Sequence, residues 1–347
     1  MDAPSVRRSI ASTREFIRWH MLFDSMRGTE LFPGPESDGL SPEEAFAILG
    51  NESRLDIIKA LWEAGAHHQF DDIDNTATTI SFSELQAAVD IRDNGQFNYH
   101  LARLIPSFVR HTDEGYRLSG AGKQVFQAVI AITGERPPGV SGDLETPCPL
   151  CAGGLTAVYE DQWLRVMCTN CDGNFGDAAP AGTVFNAPFP AAGLTDRNVD
   201  NAFLTGGYRC MLDMTYLMRN ICRECASPLT SSVMLCEGHD AADDRSCTVC
   251  GTHFAVWGEL RCDTCRFAKR LPVEVCAMGL TPVITYLHEF DIDVLSSSFG
   301  DLGEVIARRF QTTVTINPLR VTITITAETD DLTITFDDAL SVVKGTS

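Results

Sequence analysis

The stretch CPLCAGGLTAVYEDQWLRVMCTNC, residues 148–171, decides how the second half of this chain folds. It opens and closes on a Cys-x-x-Cys pair, Cys148/Cys151 and Cys168/Cys171, with sixteen residues between them. Two such knuckles facing each other across a hairpin bring four thiolates to the corners of a tetrahedron, the arrangement that closes a structural zinc site. Leu155–Tyr159 and Trp163–Met167 are the hairpin strands this predicts. No thioredoxin-like βαβ pattern surrounds the pairs, which argues against a redox role.

The same unit recurs downstream. Cys222-x-x-Cys225, Cys236-x-x-His239, Cys247-x-x-Cys250 and Cys262-x-x-Cys265 supply eight more ligands, enough for two sites. His239 holds the fourth position of its pair and completes the count: eleven Cys and one His make three full tetrahedra and call for three Zn²⁺. Closing the shortest loops favours pairing in sequence order, Cys222, Cys225, Cys236 and His239 in one site and Cys247, Cys250, Cys262 and Cys265 in the other. Nested and cross-braced pairings use the same ligand set. Cys210 and Cys276 are left over and read as buried small apolar residues. Sites with four protein ligands have no open position, so the zinc is expected to be structural and to supply folding energy to small hairpins. Pro147-Cys148-x-x-Cys151 lacks the upstream His-x-Glu of the zinc deaminases, and His288-Glu289 lacks the second His of a zinc-protease helix. With no phosphate loop and no serine nucleophile elbow, no enzyme activity is expected.

Composition sets the wider frame. The chain has 347 residues, 13 Cys and a formal net charge of −20. No apolar run approaches the length of a membrane span and no signal peptide is read at the N-terminus, so a cytoplasmic, reducing location is expected. Basic residues are almost all Arg: 4 Lys (Lys59, Lys123, Lys269, Lys344) against 23 Arg. Few Lys among many carboxylates is the look of a protein suited to a high-salt cytoplasm, where screening makes net charge a poor guide to partners.

The expected organisation is α+β. An N-terminal helix at 9–27 and a Pro/Gly break occupy 1–40. A winged helix-turn-helix spans 41–135, a linker and the first zinc ribbon 136–194, a helix with two further knuckle hairpins 195–276, and a small α/β module 277–347. Within 41–135, Ser41-Pro42-Glu43-Glu44 is a strong helix start. A helix at about 52–64 buries Leu55, Ile58, Leu61 and Trp62. A polar loop (Asp71, Asp72, Asp74, Asn75) leads to a short strand at Ile80–Phe82 and a helix capped by Ser83. The next helix, 94–104, puts Phe97, Leu101 and Leu104 on one face and Gln96, Tyr99 and Arg103 on the other, groups able to read base edges. Hairpin strands around Asp113-Glu114-Gly115 carry Arg110 and Arg117, suitably placed for phosphates. Residues 178–193 read as an Ala/Pro/Gly loop, and 312–316, 320–326 and 332–336 as strands.

The run from Phe46 to Ile58 (FAILGNESRLDII) resembles the opening of the ArsR-type winged-helix repressors. Gln96-Phe97-Asn98-Tyr99-His100-Leu101, followed by the Thr112–Leu118 wing, is similar to the variant found in halophilic archaea, often with a zinc-ribbon extension. The resemblance implies a transcription regulator that binds double-stranded DNA as a homodimer, with Gln96, Asn98, Tyr99, Arg103, Arg110 and Arg117 as candidate contacts. It departs in one respect: the metal sensors of that family place Cys on or near the helix-turn-helix, and this chain has none before Cys148.

Charge by segment agrees with that reading. Residues 83–127 are net neutral, whereas the segments before and after are strongly acidic. The competing reading is an interaction protein of the general-transcription-factor kind that docks on RNA polymerase or other transcription proteins through its ribbons. A third is nucleic-acid contact by the ribbons themselves, through Arg261, Arg266, Lys269 and Arg270 with Phe175, Phe254 and Trp257 nearby. Residues 9–27 and 119–133 are the candidate dimerisation helices.

Overall fold

A computed structural model describes residues 40–66, 79–133, 141–242, 246–327 and 330–343. The helix expected at 9–27 and the acidic loop at 71–75 lie outside the described residues. The chain divides into two units, Met1–Phe126 and Gln127–Ser347.

In the first unit, caps fix where each helix starts. Ser41 and Glu44 form a reciprocal capping box ahead of α1 (Pro42–Leu49), with Pro at its first turn. Asn51 caps α2 (Glu52–Glu63), which buries Ile57, Ile58 and Leu61. Leu55, expected on that face, is 44 % exposed. The next helix, α3 (Phe82–Ala88), is capped by Ser81 rather than Ser83. Ile80 pairs with Tyr116 and holds the backbone extended up to Ser81, and Glu84 then completes the box. Asp93 accepts the Gln96 N–H at 2.6 Å and starts α4 (Asn94–Leu104). Phe97, Leu101 and Leu104 are buried, and Phe97 meets Phe82 edge-on with centroids 4.9 Å apart. The wing is the antiparallel pair β1 (Val109–Thr112) and β2 (Gly115–Leu118). It leads into α5 (Gly120–Thr133), where a Cβ on Gly122 would lie 2.1 Å from the Phe108 carbonyl oxygen, so only glycine lets the helix start this close to the wing. Trp62 packs on Phe126, closing the core. Helices around one apolar core with a two-stranded wing make this a winged-helix-like unit.

The second unit is built on three antiparallel sheets. The first has the order β3-β4-β5-β6: β3 (Ser141–Leu144), β4 (Leu155–Glu160), β5 (Trp163–Cys168) and β6 (Thr183–Pro188). Two of these strands differ from the sequence expectation. Residues 141–144 leave the linker to pair with β4, and the expected loop at 178–193 contains β6, whose Val184, Phe185 and Ala187 are buried. An Ala/Pro-rich stretch hides a strand because its apolar residues run continuously, without the alternation of a half-exposed one. Helix α6 (Val199–Leu217) covers this sheet, Phe203 meeting Phe185 edge-on at 5.5 Å.

The second sheet is β7 (Thr230–Leu235), β8 (Val256–Arg261) and β9 (Ala268–Pro272). After α7 (Val273–Met278), α8 (Thr281–His288) and α9 (Phe299–Arg309) comes the third. It has the order β10-β11-β12-β13: β10 (Phe310–Thr315), β11 (Arg320–Ile325), β12 (Leu332–Phe336) and the short β13 (Val342–Val343). Met211, Met214 and Leu217 of α6, Val256 and Leu260 of β8, and Val321, Ile323 and Ile325 of β11 form one apolar core. The C-terminal sheet therefore shares its interior with the second sheet and with α6. No helix among the described residues is long and apolar enough to cross a membrane.

Candidate metal centres and nucleic-acid interface

Each knuckle is a turn before it is a metal site. In four of them the N–H of the first Cys donates to the carbonyl five residues on, and the residue four positions on donates back to that Cys carbonyl. The bonds are Cys148 to Gly153, Cys222 to Ser227, Cys247 to Thr252 and Cys262 to Phe267, at 2.8–3.0 Å. The residue after the second Cys (Ala152, Ala226, Gly251, Arg266) then takes positive φ, between 57° and 69°. That turn aims backbone N–H groups at sulfur: Leu150 donates to Cys148 Sγ at 3.4 Å and Val249 to Cys247 Sγ at 3.3 Å. Such bonds spread thiolate charge before any metal arrives.

The structure gathers the twelve ligands into three clusters: Cys148, Cys151, Cys168 and Cys171; Cys222, Cys225, Cys262 and Cys265; and Cys236, His239, Cys247 and Cys250. Within each, the ligand atoms all lie within 4.8 Å of one another. Zn–S bonds of about 2.3 Å put tetrahedral sulfurs about 3.8 Å apart. Here Cys148–Cys171 is 3.8 Å, Cys151–Cys168, Cys222–Cys265 and Cys225–Cys262 are each 3.5 Å, and Cys236–Cys247 is 3.9 Å. His239 presents Nδ1 to the third cluster, 3.5 Å from Cys250 Sγ. The donor sets, two Cys₄ and one Cys₃His, suit Zn²⁺, and the three clusters are three sites for it.

The pairing of the eight downstream ligands is nested, which corrects the expectation of sequential order. The reason is strand register. Thr230 pairs with Arg261 and Leu235 with Val256, so the knuckle before β7 and the knuckle after β8 meet at one end of the hairpin. The knuckles at 236–239 and 247–250 lie between the strands in sequence and meet at the other end. Loop closure costs only logarithmically more for a longer loop, and a six-residue strand pair outweighs the difference.

The charge state of the metal-free tetrads explains why they need a cation. Loss of solvent and the neighbouring thiols of Cys250 and Cys247 push Cys236 up to about 12. Burial drives Cys148 up to about 11. By contrast Cys225, hydrogen-bonded by the Ser227 hydroxyl and backbone, drops to about 6. Cys225 thus ionises readily whereas Cys148 and Cys236 resist, until a divalent ion compensates the repulsion. Cys210 and Cys276 are buried and belong to none of the clusters.

The loops of the first and third sites are joined by hydrogen bonds. The His253 N–H donates to Asn174 Oδ1 at 3.1 Å, and Ser246 Oγ donates to the Gly173 carbonyl at 3.4 Å. Gly176 and Gly251 approach so closely that a Cβ on Gly251 would lie 2.7 Å from Gly176 Cα. No local sequence signal marks this contact, because the two glycines are 75 positions apart in the chain.

Part of the expected ribbon patch is engaged within the protein. Arg261 and Arg270 both pair with Glu259, at 2.8 and 2.7 Å, holding its carboxyl down at about 2. Lys269 Nζ donates to Cys210 Sγ at 3.5 Å, and Phe254 packs edge-on to Trp257.

In the first unit, Gln96, Asn98, Tyr99 and Arg103 are exposed on α4, and the Arg103 guanidinium lies 5.7 Å over the Tyr99 ring. Arg110 and Arg117 are direct cross-strand partners in the wing. Arg110 is exposed; Arg117 is half-buried, its Nε buried without a hydrogen-bond partner. Neither has a carboxylate partner among the described residues. Like charges directly opposite each other destabilise a strand pair, so this juxtaposition works against the fold that carries it.

Fold and ligand clusters together define the class: an α+β protein with a winged-helix-like N-terminal unit and three zinc-ribbon-like clusters. Residues 145–342, more than half of the chain, match the family described as Domain of unknown function (DUF7351), and the chain belongs to that family. Residues 42–129 match a second family model, Domain of unknown function (DUF7347). No curated protein and no solved structure matches the chain.

Proposed function

We propose that this protein is a DNA-binding transcription regulator that reads double-stranded DNA with α4 and the wing, its three zinc ions acting as structural closures of the second unit. The observation that carries the reading is the Arg110–Arg117 pair. Two guanidiniums stand directly opposite each other on the wing without a carboxylate partner among the described residues, and an anion such as a backbone phosphate relieves their repulsion. The wing tip, Asp113-Glu114, is acidic, so phosphate contact is assigned to the strands and not to the tip. Gln96, Asn98, Tyr99 and Arg103 supply amide, phenol and guanidinium groups on the exposed side of α4 for base edges. The resemblance to ArsR-type repressors supports the same assignment, and with it a homodimer. Val129, Ile130 and Ile132 of α5 are 39 %, 43 % and 54 % exposed, an apolar stripe suited to such an interface. Sites with four protein ligands leave zinc no open position, so the reading is non-catalytic, and action on chromosomal DNA places the protein in the cytoplasm.

Chromatin immunoprecipitation with the full chain tests this. A limited set of discrete sites, lost with Arg110→Ala/Arg117→Ala, is the expected result. Signal at most promoters, unchanged by those substitutions, would instead support polymerase docking through the ribbons.

A further inference from the structure

The third sheet ends on an open edge. β10 is its outermost strand, paired with β11 on one side only, and its other edge has no backbone partner among the described residues. Soluble proteins blunt such edges with charge, proline, a bulge or a covering loop. β10 uses none of the first three: it pairs with β11 without a bulge, and residues 310–317, Phe-Gln-Thr-Thr-Val-Thr-Ile-Asn, carry neither charge nor proline. The core face of the sheet also runs past its cover. Val314 stands opposite the fully buried Val321 yet is 37 % exposed, and the adjoining Ile316 is 70 % exposed.

We propose that the β10 edge is a self-association surface, on which β10 of a second copy of this chain pairs antiparallel about a two-fold axis at Thr313. The register follows from which face each residue occupies. Residues directly opposite in an antiparallel pair share a face. A two-fold perpendicular to the sheet sets core-face residues of one copy against core-face residues of the other. Centring on Thr313 therefore opposes Thr312 to Val314 of the second copy and Phe310 to its Ile316, which covers the two exposed apolar side chains. On the outer face Thr313 meets its own copy and Gln311 meets Thr315. Two four-stranded sheets become one of eight strands. Local charge is compatible with a second copy as the occupant: residues 310–319 carry no ionisable group, so two copies meet along this edge without setting like charges opposite each other. The same stretch offers no charge by which an acidic or basic partner would be recognised. The contact is small beside the roughly 1,600 Å² of a standard interface, so association is reversible and concentration-dependent. It is independent of the DNA-reading assignment and uses a different surface from α5.

The test is sedimentation velocity of the full, zinc-loaded chain over a concentration series, with hydrogen exchange of the 310–316 segment at each concentration. It is run on the wild type and on Ile132→Glu, so that association through α5 is separated from association through β10. Thr313 is exposed, so Thr313→Lys and Thr313→Glu leave the interior untouched. In the Ile132→Glu background, self-association and concentration-dependent protection of 310–316 are expected, with at least a tenfold loss of association in either charged variant alone. Mixing the Lys and Glu variants is expected to restore it, because position 313 faces itself. Unchanged association in the charged variants, protection independent of concentration, or a mixture that stays apart would each overturn the proposal.

Discussion

Glu274 shows what a single side chain costs this fold. Its carboxyl is buried in α7, with Oε1 accepting from the Thr312 hydroxyl and Oε2 unpartnered. Burial raises its pKa. The native state therefore keeps a proton that the unfolded chain loses above the ordinary carboxylate range, and stability falls as pH rises through that window. Glu274→Gln, which is neutral in both states, is expected to raise the melting temperature at pH 7 by a few degrees and to change it little at pH 4. Differential scanning calorimetry at the two pH values checks this. A second prediction concerns the knuckle turns. Gly251 has φ 69° and touches Gly176. Gly251→Ala combines the left-handed penalty, about 1–2 kcal/mol, with a backbone clash. The third site is expected to release zinc to a chromophoric chelator sooner than in wild type. The equivalent position in the second site already holds Ala226 at φ 60°, so Ala226→Gly is expected to be neutral or stabilising.

At the scale of elements, the knuckles were legible in the sequence and their pairing was not. Cys-x-x-Cys, and Cys-x-x-His at 236–239, are local patterns, because two residues between ligands are what one turn needs, and the twelve residues they mark are the twelve that cluster. Which knuckles share a metal depends on the register of β7 against β8, a contact between residues 21 to 31 positions apart that no local pattern encodes. The same division explains the strands. β4 and β5 flank an obvious turn and are readable. β3 and β6 sit in stretches that look like linker and loop, and become strands only because β4 and β5 offer them edges. At α3 two capping serines compete, and the Ile80–Tyr116 bridge decides for Ser81. Nested pairing makes a counting prediction. Cys222→Ser/Cys265→Ser damages one site and is expected to retain two zinc ions per chain by elemental analysis. Cys222→Ser/Cys236→Ser damages two sites and is expected to retain one. Sequential pairing would reverse the two counts.

For the molecule as a whole, metal and fold are linked in the second unit and separate in the first. All twelve ligands lie between Cys148 and Cys265, whereas the winged-helix-like unit closes its core with Phe97, Leu101, Leu104 and Trp62 packed on Phe126. Zinc requires deprotonated ligands, so acid releases it, and thiols held near 11–12 without metal take up protons as it leaves. Chelation at neutral pH is expected to abolish hydrogen-exchange protection in β4, β5, β7 and β8 while α2 and α4 stay protected. The charge of −20 is likewise unevenly distributed: residues 83–127, which hold α4 and the wing, balance five basic against five acidic groups, whereas 1–82 and 128–347 are each net acidic. Phosphate attraction weakens with salt, so on this account base contacts and shape carry a large share of DNA affinity.

DNA reading by α4 and the wing is measured by selecting fragments of genomic DNA on the purified, zinc-loaded full chain. Wild type is compared with Arg103→Ala/Arg110→Ala/Arg117→Ala. Enrichment of a short recurrent sequence by the wild type is expected, with its loss in the variant and zinc content unchanged. No enrichment by the wild type, or the same enrichment by both proteins, would contradict it.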